Sequence, residues 1–319
     1  NHEIAFNDSY LIFPVAIFVI SNEKMKIGFL VCPGTMPGSP QRRRDAYEHD
    51  LQIDAIRPKI QELGGSLVQI DWRAPIDSFK NCSIILVGTP WDYQNDEIAF
   101  INKLYQLENL GIPVYNPPDT VKWNSSKTYL KQLESRGVAT IPTIWAEKVM
   151  LVDIDTAREN FNCETIVVKR QVGAGAEGQS IHGPGSPSED WLLLEPSMIQ
   201  PFFHQVQMEG EYSFVFVDGD FCHAVIKKPK QGDYRVQSIY GGYEKKITPN
   251  CRDLTSAYNV IDALPLEMPL YARIDMIRGH DNQLMLMEAE LIEPYLYPEQ
   301  GPELGTKLAE GLIKRINRN

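Results

Sequence analysis

The sequence predicts a mixed protein, α/β in its first third and α+β beyond, on three observations. Strand-like and helical segments alternate from Lys26 to Asn116, the pattern of an open parallel sheet with helices on both faces. After Asn116 the strands instead come in antiparallel style, and "GEYSFVFVDGDFCHAVI" carries the alternation and Asp-Gly turn of a hairpin. Near the end, Arg273 to Pro294 ("RIDMIRGHDNQLMLMEAELIEP") reads as two more strands joined by a polar turn. A chain of 319 residues suits two or three packed lobes.

In order, "KIGFLVC" is a strand and "DLQIDAIRPKIQELGG" a helix that Pro58 must bend or end. "SLVQIDW" and "SIILVG" are strands, "DEIAFINKLYQLENLG" a helix, and "IPVYN" a strand. Ligands of open α/β sheets sit at the C-terminal strand ends. Two segments emerge there. The loop "PGTMPGSPQRRR" carries Arg42, Arg43 and Arg44, which either meet an anionic substrate or are solvated charges. In "TPWDY", Trp91, Asp92 and Tyr93 either line a substrate pocket or form a packed turn. Next, "WNSSKTYLKQLESRG" predicts a helix with Asn124 or Ser125 as N-cap and Gly137 as its stop, placing Lys127 on the first turn. Then follow the strands "TIW" and "ETIVVKR", a small-residue loop, a Pro/Ser/Gly stretch, "MIQPFF", the two hairpins and a C-terminal helix, "GPELGTKLAEGLIKRI".

Composition narrows the function. A net charge of −11 argues against a nucleic-acid binder that relies on broad phosphate attraction. Five scattered cysteines lack metal-ligand spacing and read as reduced thiols of a cytoplasmic protein. The apolar run Tyr10–Ile20 is too short to span a bilayer and contains Pro14, so no membrane partner is expected. Residues 1–24 are expected to be an extension outside the catalytic fold, a membrane-contacting segment being the alternative.

The chemistry lies in the second half. Period-two alternation puts Arg273 and Asp275 on one face of their strand, and Glu288 and Glu290 on one face of the next. Three carboxylates gathered in apolar surroundings repel unless cations lie between them. Oxygen-only ligands suit Mg²⁺ or Mn²⁺, ions that usually arrive with phosphates; a solvated hairpin is the alternative. Upstream, Lys169 ends an apolar strand directly before Gly173, Ala174, Gly175, Ala176 and Gly178, a loop whose backbone can approach phosphates closely. Lys127 is the candidate for a second cation, a surface lysine being the alternative for each of the two. Two lysines, such a loop and three carboxylates are the parts of an ATP–metal site.

From Asn116 to Pro298 the order of these parts resembles the ATP-grasp superfamily. That resemblance implies a Rossmann-like N-terminal (pre-ATP-grasp) domain over residues 25–115, followed by a two-lobed ATP-grasp fold with a central lobe over 116–198 and a C-terminal lobe over 199–319. Lys127 and Lys169 match its phosphate-binding lysines, Gly173 to Gly178 its phosphate loop, and Gln200 with the backbone through Phe203 its adenine hinge. Glu211 matches the ribose-binding acid, with Glu209 as alternative, and Asp275, Glu288 and Glu290 match the metal ligands, the last being commonly Asn. Arg273 is implied beside the transferring phosphate. "KKPKQGDYRVQSIYGG" resembles a stretch of bacterial glutathione synthetase, implying that Arg235 assists the substrate carboxylate, with Lys227 or Lys228 adding charge. "PWDY", "NPPDTVKWNSSKTYL", "GDYRVQ" and "ELIEPYLY" are similar to the D-cycloserine-forming cyclo-ligase group. The implied cofactors are ATP and Mg²⁺, and the implied activity is ADP-forming carbon–nitrogen ligation. An amino-acid-like carboxylate would be activated as an acyl phosphate and attacked by a nitrogen nucleophile, in the same molecule for an O-ureido-serine-like substrate or on a separate amine. A non-catalytic ATP-binding module and a phosphotransferase are the other readings. The family's frequent dimers suggest a homodimer, although no apolar stripe in the sequence marks an interface.

Overall fold

The structure is a computed structural model that describes residues 25–173, 178–230, 236 and 241–317. The extension expected over residues 1–24 lies outside the described residues. The N-terminal part is built from strands β1 (Lys26–Val31), β2 (Ser66–Asp71), β3 (Ile84–Thr89) and β4 (Val114–Tyr115), with helices α1 (Tyr47–Glu62) and α2 (Glu97–Asn109). The strands lie parallel in the order β2-β1-β3-β4, as the alternation requires. Helix α1 starts three residues before the predicted segment and runs through Pro58 to Glu62, correcting the expected break. Pro58 lies in its last turns, where little helix remains to be disrupted. Asp96 caps α2 by accepting from Ala99 N–H at 3.2 Å.

Helices α3 (Pro118–Asn124) and α4 (Tyr129–Ser135) replace the single predicted helix. Asn124 is no N-cap. Its amide donates to Ala289 O at 2.8 Å and its carbonyl accepts from Leu291 N–H at 2.9 Å, so tertiary bonds take the groups that capping would use. Ser125 Oγ donates instead to Lys122 O at 3.0 Å.

The central region follows with β5 (Ile144–Ala146), β6 (Val149–Met150), α5 (Leu151–Phe161), β7 (Ile166–Arg170), β8 (Ser180–His182), β9 (Leu192–Leu193) and β10 (Ser197–Pro201). An antiparallel sheet runs β5-β10-β7-β8 and a two-stranded piece pairs β6 with β9. Strand β10 spans the residue 198/199 boundary and belongs by its pairing to this sheet.

A short helix α6 (Gln205–Met208) leads to a five-stranded antiparallel sheet ordered β13-β12-β11-β14-β15. Its strands are β11 (Glu211–Val217), β12 (Asp220–Lys228), β13 (Tyr243–Ile247), β14 (Tyr271–Arg278) and β15 (Leu284–Glu290), with α7 (Cys251–Asp262) before β14. Asp218 and Gly219 turn β11 into β12 with φ of 54° and 85°, the left-handed pair that the Asp-Gly signal predicts. The final helix α8 (Leu304–Ile316) does not stay with this sheet alone. Leu304, Leu308 and Leu312 join one core with Ile27, Phe29, Ile53 and Ile56 of β1 and α1, and Val215 of β11.

Candidate functional site

One cavity of about 860 Å³ runs between the central and C-terminal sheets to the strand ends of the N-terminal sheet. Its inner end is apolar: Ile141, Phe203 and Ile277 are buried together, with Met287 packed against them, and all four line it. Gln200 and Val167, cross-strand partners on β10 and β7, line the same end.

The middle is charged, and register explains why. Strand pairing sets Arg273 opposite Glu290 and Asp275 opposite Glu288, with a bulge directly after Asp275. Ser213 of β11 is opposite Asp275 on its other side. Arg273 donates to Asp275 through Nε at 3.1 Å and Nη2 at 2.9 Å, and also pairs with Glu290. Lys227 reaches Asp275 at 3.1 Å and pairs with Glu211, its cross-strand partner. Lys127, in the turn between α3 and α4, meets Glu288 at 2.8 Å and donates to Gly173 O at 2.6 Å. Its own N–H is held by Gln171 O at 2.7 Å, so the strand β7 loop, not a helix cap, positions it. Carboxylates and cations therefore alternate across the site, as burial of several like charges requires.

These pairings set the protonation. Burial alone would raise Asp275, but Arg273 and Lys227 hold it well below the usual carboxylate range. Burial pushes Glu290 up to about 8 against the pull of Arg273, with Asp275 and Glu288 adding to the rise. Burial raises Glu211 to about 7, opposed by Lys227 and assisted by Asp275. Burial works against the charge of Lys127, yet Glu288 lifts its pKa above the ordinary value. Lys169 differs. It lines the cavity, burial lowers its pKa, and among the described residues no carboxylate lies within ion-pair distance. A half-buried ammonium that feels Glu288 and Glu211 only from beyond ion-pair distance, among the described residues, suits an anionic ligand.

Three or more carboxylates, histidines or cysteines do not converge on a metal position among the described residues. The donor set nonetheless fits Mg²⁺, which keeps several waters and is usually held by one or two carboxylates together with phosphates, not by an all-protein cage. Glu288 and Glu290 line the cavity, and so does Asp275, whose oxygens already accept from Ser213, Arg273 and Lys227.

The outer end is formed by the N-terminal region. Arg43 lines it, bound to Asp45 through Nε at 2.8 Å and Nη2 at 2.6 Å and lying over the Trp91 ring at 5.3 Å. Arg42 turns inward to Thr35 O and pairs with Asp50, and Arg44 is exposed away from the cavity lining. Trp91 and Asp92 line the cavity; Trp91 Nε1 donates to Glu293 O at 3.1 Å, and Asp92 accepts from Trp72 Nε1 and Arg73. Tyr93 corrects the expectation of a pocket residue. Its ring is buried in the N-terminal core against Phe100 at 5.2 Å, because the short 3₁₀ turn that starts there points it inward.

Of the remaining predicted residues, Gly173 lines the cavity, whereas Gly178 adopts φ +71° beside the Arg170 side chain, outside the lining. Gly175 and Arg235 lie outside the described residues. Glu209, the alternative to Glu211, is held by Arg278 at 2.8 Å and is not part of the cavity lining. Lys227 lines the cavity and Lys228 does not. Sequence reasoning missed Glu293, which lines the cavity and which burial raises to about 7, with Glu288 adding. Its signal was a carboxylate inside the apolar "ELIEPYLY".

No protein-family model matches the chain. It is 25% identical over 295 residues to the cycloserine biosynthesis protein DcsG of Streptomyces lavendulae, covering 83% of this chain and 95% of that protein. It is 27% identical over 217 residues to a glutathione synthetase of Prochlorococcus marinus (strain MIT 9313), covering 66% of each. Its fold matches the crystal structure of D-cycloserine synthetase DcsG with a TM-score of 0.74 at 20% identity, over 91% of this chain and 99% of that one. It also matches a D-alanine–D-alanine ligase from Bacillus anthracis, complexed with ATP, with a TM-score of 0.64 at 18% identity over 92% and 97%. Sequence similarity along most of the chain, and a fold shared over nine-tenths of it, show that the protein has the ATP-grasp fold and is similar to ligases built on it.

Proposed function

We propose that the cavity activates the carboxylate of an amino-acid-like substrate with Mg·ATP and delivers it to a nitrogen nucleophile of the same molecule. One observation carries this reading: a single cavity joins an apolar slot, a centre of alternating cations and carboxylates, and a polar end built by Arg43, Asp45, Trp91 and Glu293. The purine belongs in the slot lined by Ile141, Phe203, Ile277 and Met287, and its phosphates beside Lys127 and Lys169. Glu288 and Glu290, with Asp275, would hold Mg²⁺, which neutralises phosphate charge when bound. Arg273, held by its pairs with Asp275 and Glu290, would stabilise the transferring phosphoryl group. The substrate carboxylate attacks the γ-phosphorus, releasing ADP and forming an acyl phosphate; the nitrogen then displaces inorganic phosphate. No protein nucleophile takes part, so the chain contributes positioning and electrostatics. The similarity to DcsG along most of both chains supports cyclisation of an O-ureido-serine-like compound.

Intermolecular joining of a carboxylate and an amine is the second reading, favoured by the similarity to glutathione synthetase. The test is ADP and phosphate release from Mg·ATP across amino and ureido acids, each with and without an added amine. Turnover with one compound alone, and a cyclic product by mass spectrometry, is the expected result; turnover only with a pair establishes the second reading. Glu288→Gln should abolish turnover with its melting temperature retained, and full activity in that variant would overturn the site.

A further inference from the structure

We infer that Thr143 makes the nucleotide slot selective for adenine over guanine, by fixing which end of the Gln200 amide faces the ligand. The inference rests on the reading of this cavity as an ATP site. Gln200 lines the slot from β10 and is otherwise buried. Its Nε2 donates to Thr143 Oγ1 at 2.9 Å. The Thr143 hydroxyl in turn donates to Ile141 O at 2.8 Å. A hydroxyl has one proton, and here Ile141 receives it, so toward Gln200 the same oxygen can act only as an acceptor. The amide must therefore present its NH₂ to Thr143. Its carbonyl oxygen, on the opposite branch, remains as the acceptor available to a ligand. Turning the amide over would set its carbonyl against the Thr143 oxygen. It could be satisfied only if the hydroxyl abandoned the Ile141 carbonyl, which is buried in the apolar cluster.

An acceptor at this position distinguishes the purines. Adenine carries an amino donor at C6, where guanine carries a carbonyl acceptor. Adenine completes the chain from base to Gln200 to Thr143 to Ile141, with every proton used once. Guanine sets two carbonyl oxygens against each other beside the buried Gln200 amide. A buried acceptor left unsatisfied in this way corresponds to roughly 10- to 100-fold in affinity. Thr143 does not line the cavity itself and so acts as a positioning residue.

The experiment compares dissociation constants of the full chain for the Mg²⁺ complexes of non-hydrolysable ATP and GTP analogues, by calorimetry, in wild type, Thr143→Ser, Thr143→Val and Gln200→Met. Wild type and Thr143→Ser should prefer the adenine analogue by at least about tenfold. Thr143→Val keeps the shape but frees the amide to turn, and should bring the ratio to within about threefold, chiefly by improving guanine binding. Gln200→Met removes the acceptor without touching Thr143 and should lower the ratio in the same direction, which keeps the test decisive if the valine variant misfolds. Equal binding of both analogues by wild type, or an unchanged ratio in Thr143→Val, overturns the inference while leaving the ATP site standing. Binding of neither analogue by wild type overturns the site and the inference together.

Discussion

Arg273 neutralises two carboxylates at once, Asp275 and Glu290, and also donates to Tyr295 O at 3.0 Å. Replacing it by Met leaves Lys227 as the one cation on Asp275 among the described residues and takes the ion-pair partner from Glu290. A buried pair broken on one side typically costs about 3–5 kcal/mol, so Arg273→Met should lose that much in urea denaturation. A loss below about 1 kcal/mol at neutral pH would show that Lys227 and Ser213 suffice to hold the Asp275 charge. Protonation also links the site to pH. Glu293 and Glu211 are raised from 4.5 to about 7, so between those pH values the folded chain holds protons that the unfolded chain releases. Their contribution to stability therefore falls as pH rises through that window. His223, which burial pushes down to about 4, acts in the opposite sense, so the measurement must be a difference. The stability of wild type relative to Glu293→Gln should decline from pH 5 to about 7 in the unliganded protein; a flat difference would show that Glu293 ionises freely. Among these residues the β14–β15 carboxylates were legible in the sequence, because period-two spacing alone puts each pair on one face. Asp275 as a partner of Lys227, Trp91 as a partner of Glu293 and Gln200 as a partner of Thr143 come from elements distant in the chain, and no spacing rule names them.

At the level of elements, strands and hairpins were more legible than helices. The Asp218-Gly219 turn sets its hairpin locally, and the parallel strands read as apolar runs. Helix α7 also carries its signal in the sequence: Asn250 accepts from Asp253 N–H at 2.9 Å, and Ala257, Val260 and Ile261 recur on one buried face. Helix α5 has no such N-cap, since Met150 precedes it. The division of α3 from α4 was not legible, because Asn124 and Tyr129 are bound to β15 and to the residue just beyond it. Helix α8 gives a prediction at this scale. A Cβ on Gly305 would collide with the carbonyl oxygen of Ala55 in α1. Gly305→Ala should push the two helices apart and cost about 1–3 kcal/mol by denaturant titration, despite the better helix propensity of Ala. An unchanged or raised stability would mean that α8 does not pack against α1 in this way.

Across the whole molecule, the cavity depends on three sheets meeting at the right distance, and Asn116 joins two of them. It is fully buried; its Oδ1 accepts from Leu270 N–H at 2.7 Å, and its Nδ2 donates to Tyr271 O at 2.9 Å and Leu291 O at 2.7 Å. These bonds tie the end of the N-terminal sheet to the start of β14 and the residue after β15. Asn116→Ala leaves three backbone groups unpaired and should cost about 3 kcal/mol or more, read by urea denaturation. It should also weaken substrate binding, because Arg43 and Trp91 sit on the far side of this joint from Glu288. Among the described residues no helix is long and apolar enough to cross a membrane.

The sequence by itself determined most of the longer strands, the Asp-Gly turn, the facing carboxylates and the order of parts that resembles the ATP-grasp superfamily. Those features depend on residues a few positions apart, where backbone geometry fixes which side chains share a face. Only the tertiary structure decided that Lys227 balances Glu211 and Asp275, that Trp91 anchors the chain at Glu293, that Thr143 orients Gln200, and that α8 packs on α1. Apart from Lys227 and Glu211, which face each other across the β11–β12 hairpin, these contacts join elements distant in the chain. Local periodicity says that a face is buried, while shape and charge complementarity with another element decide what buries it.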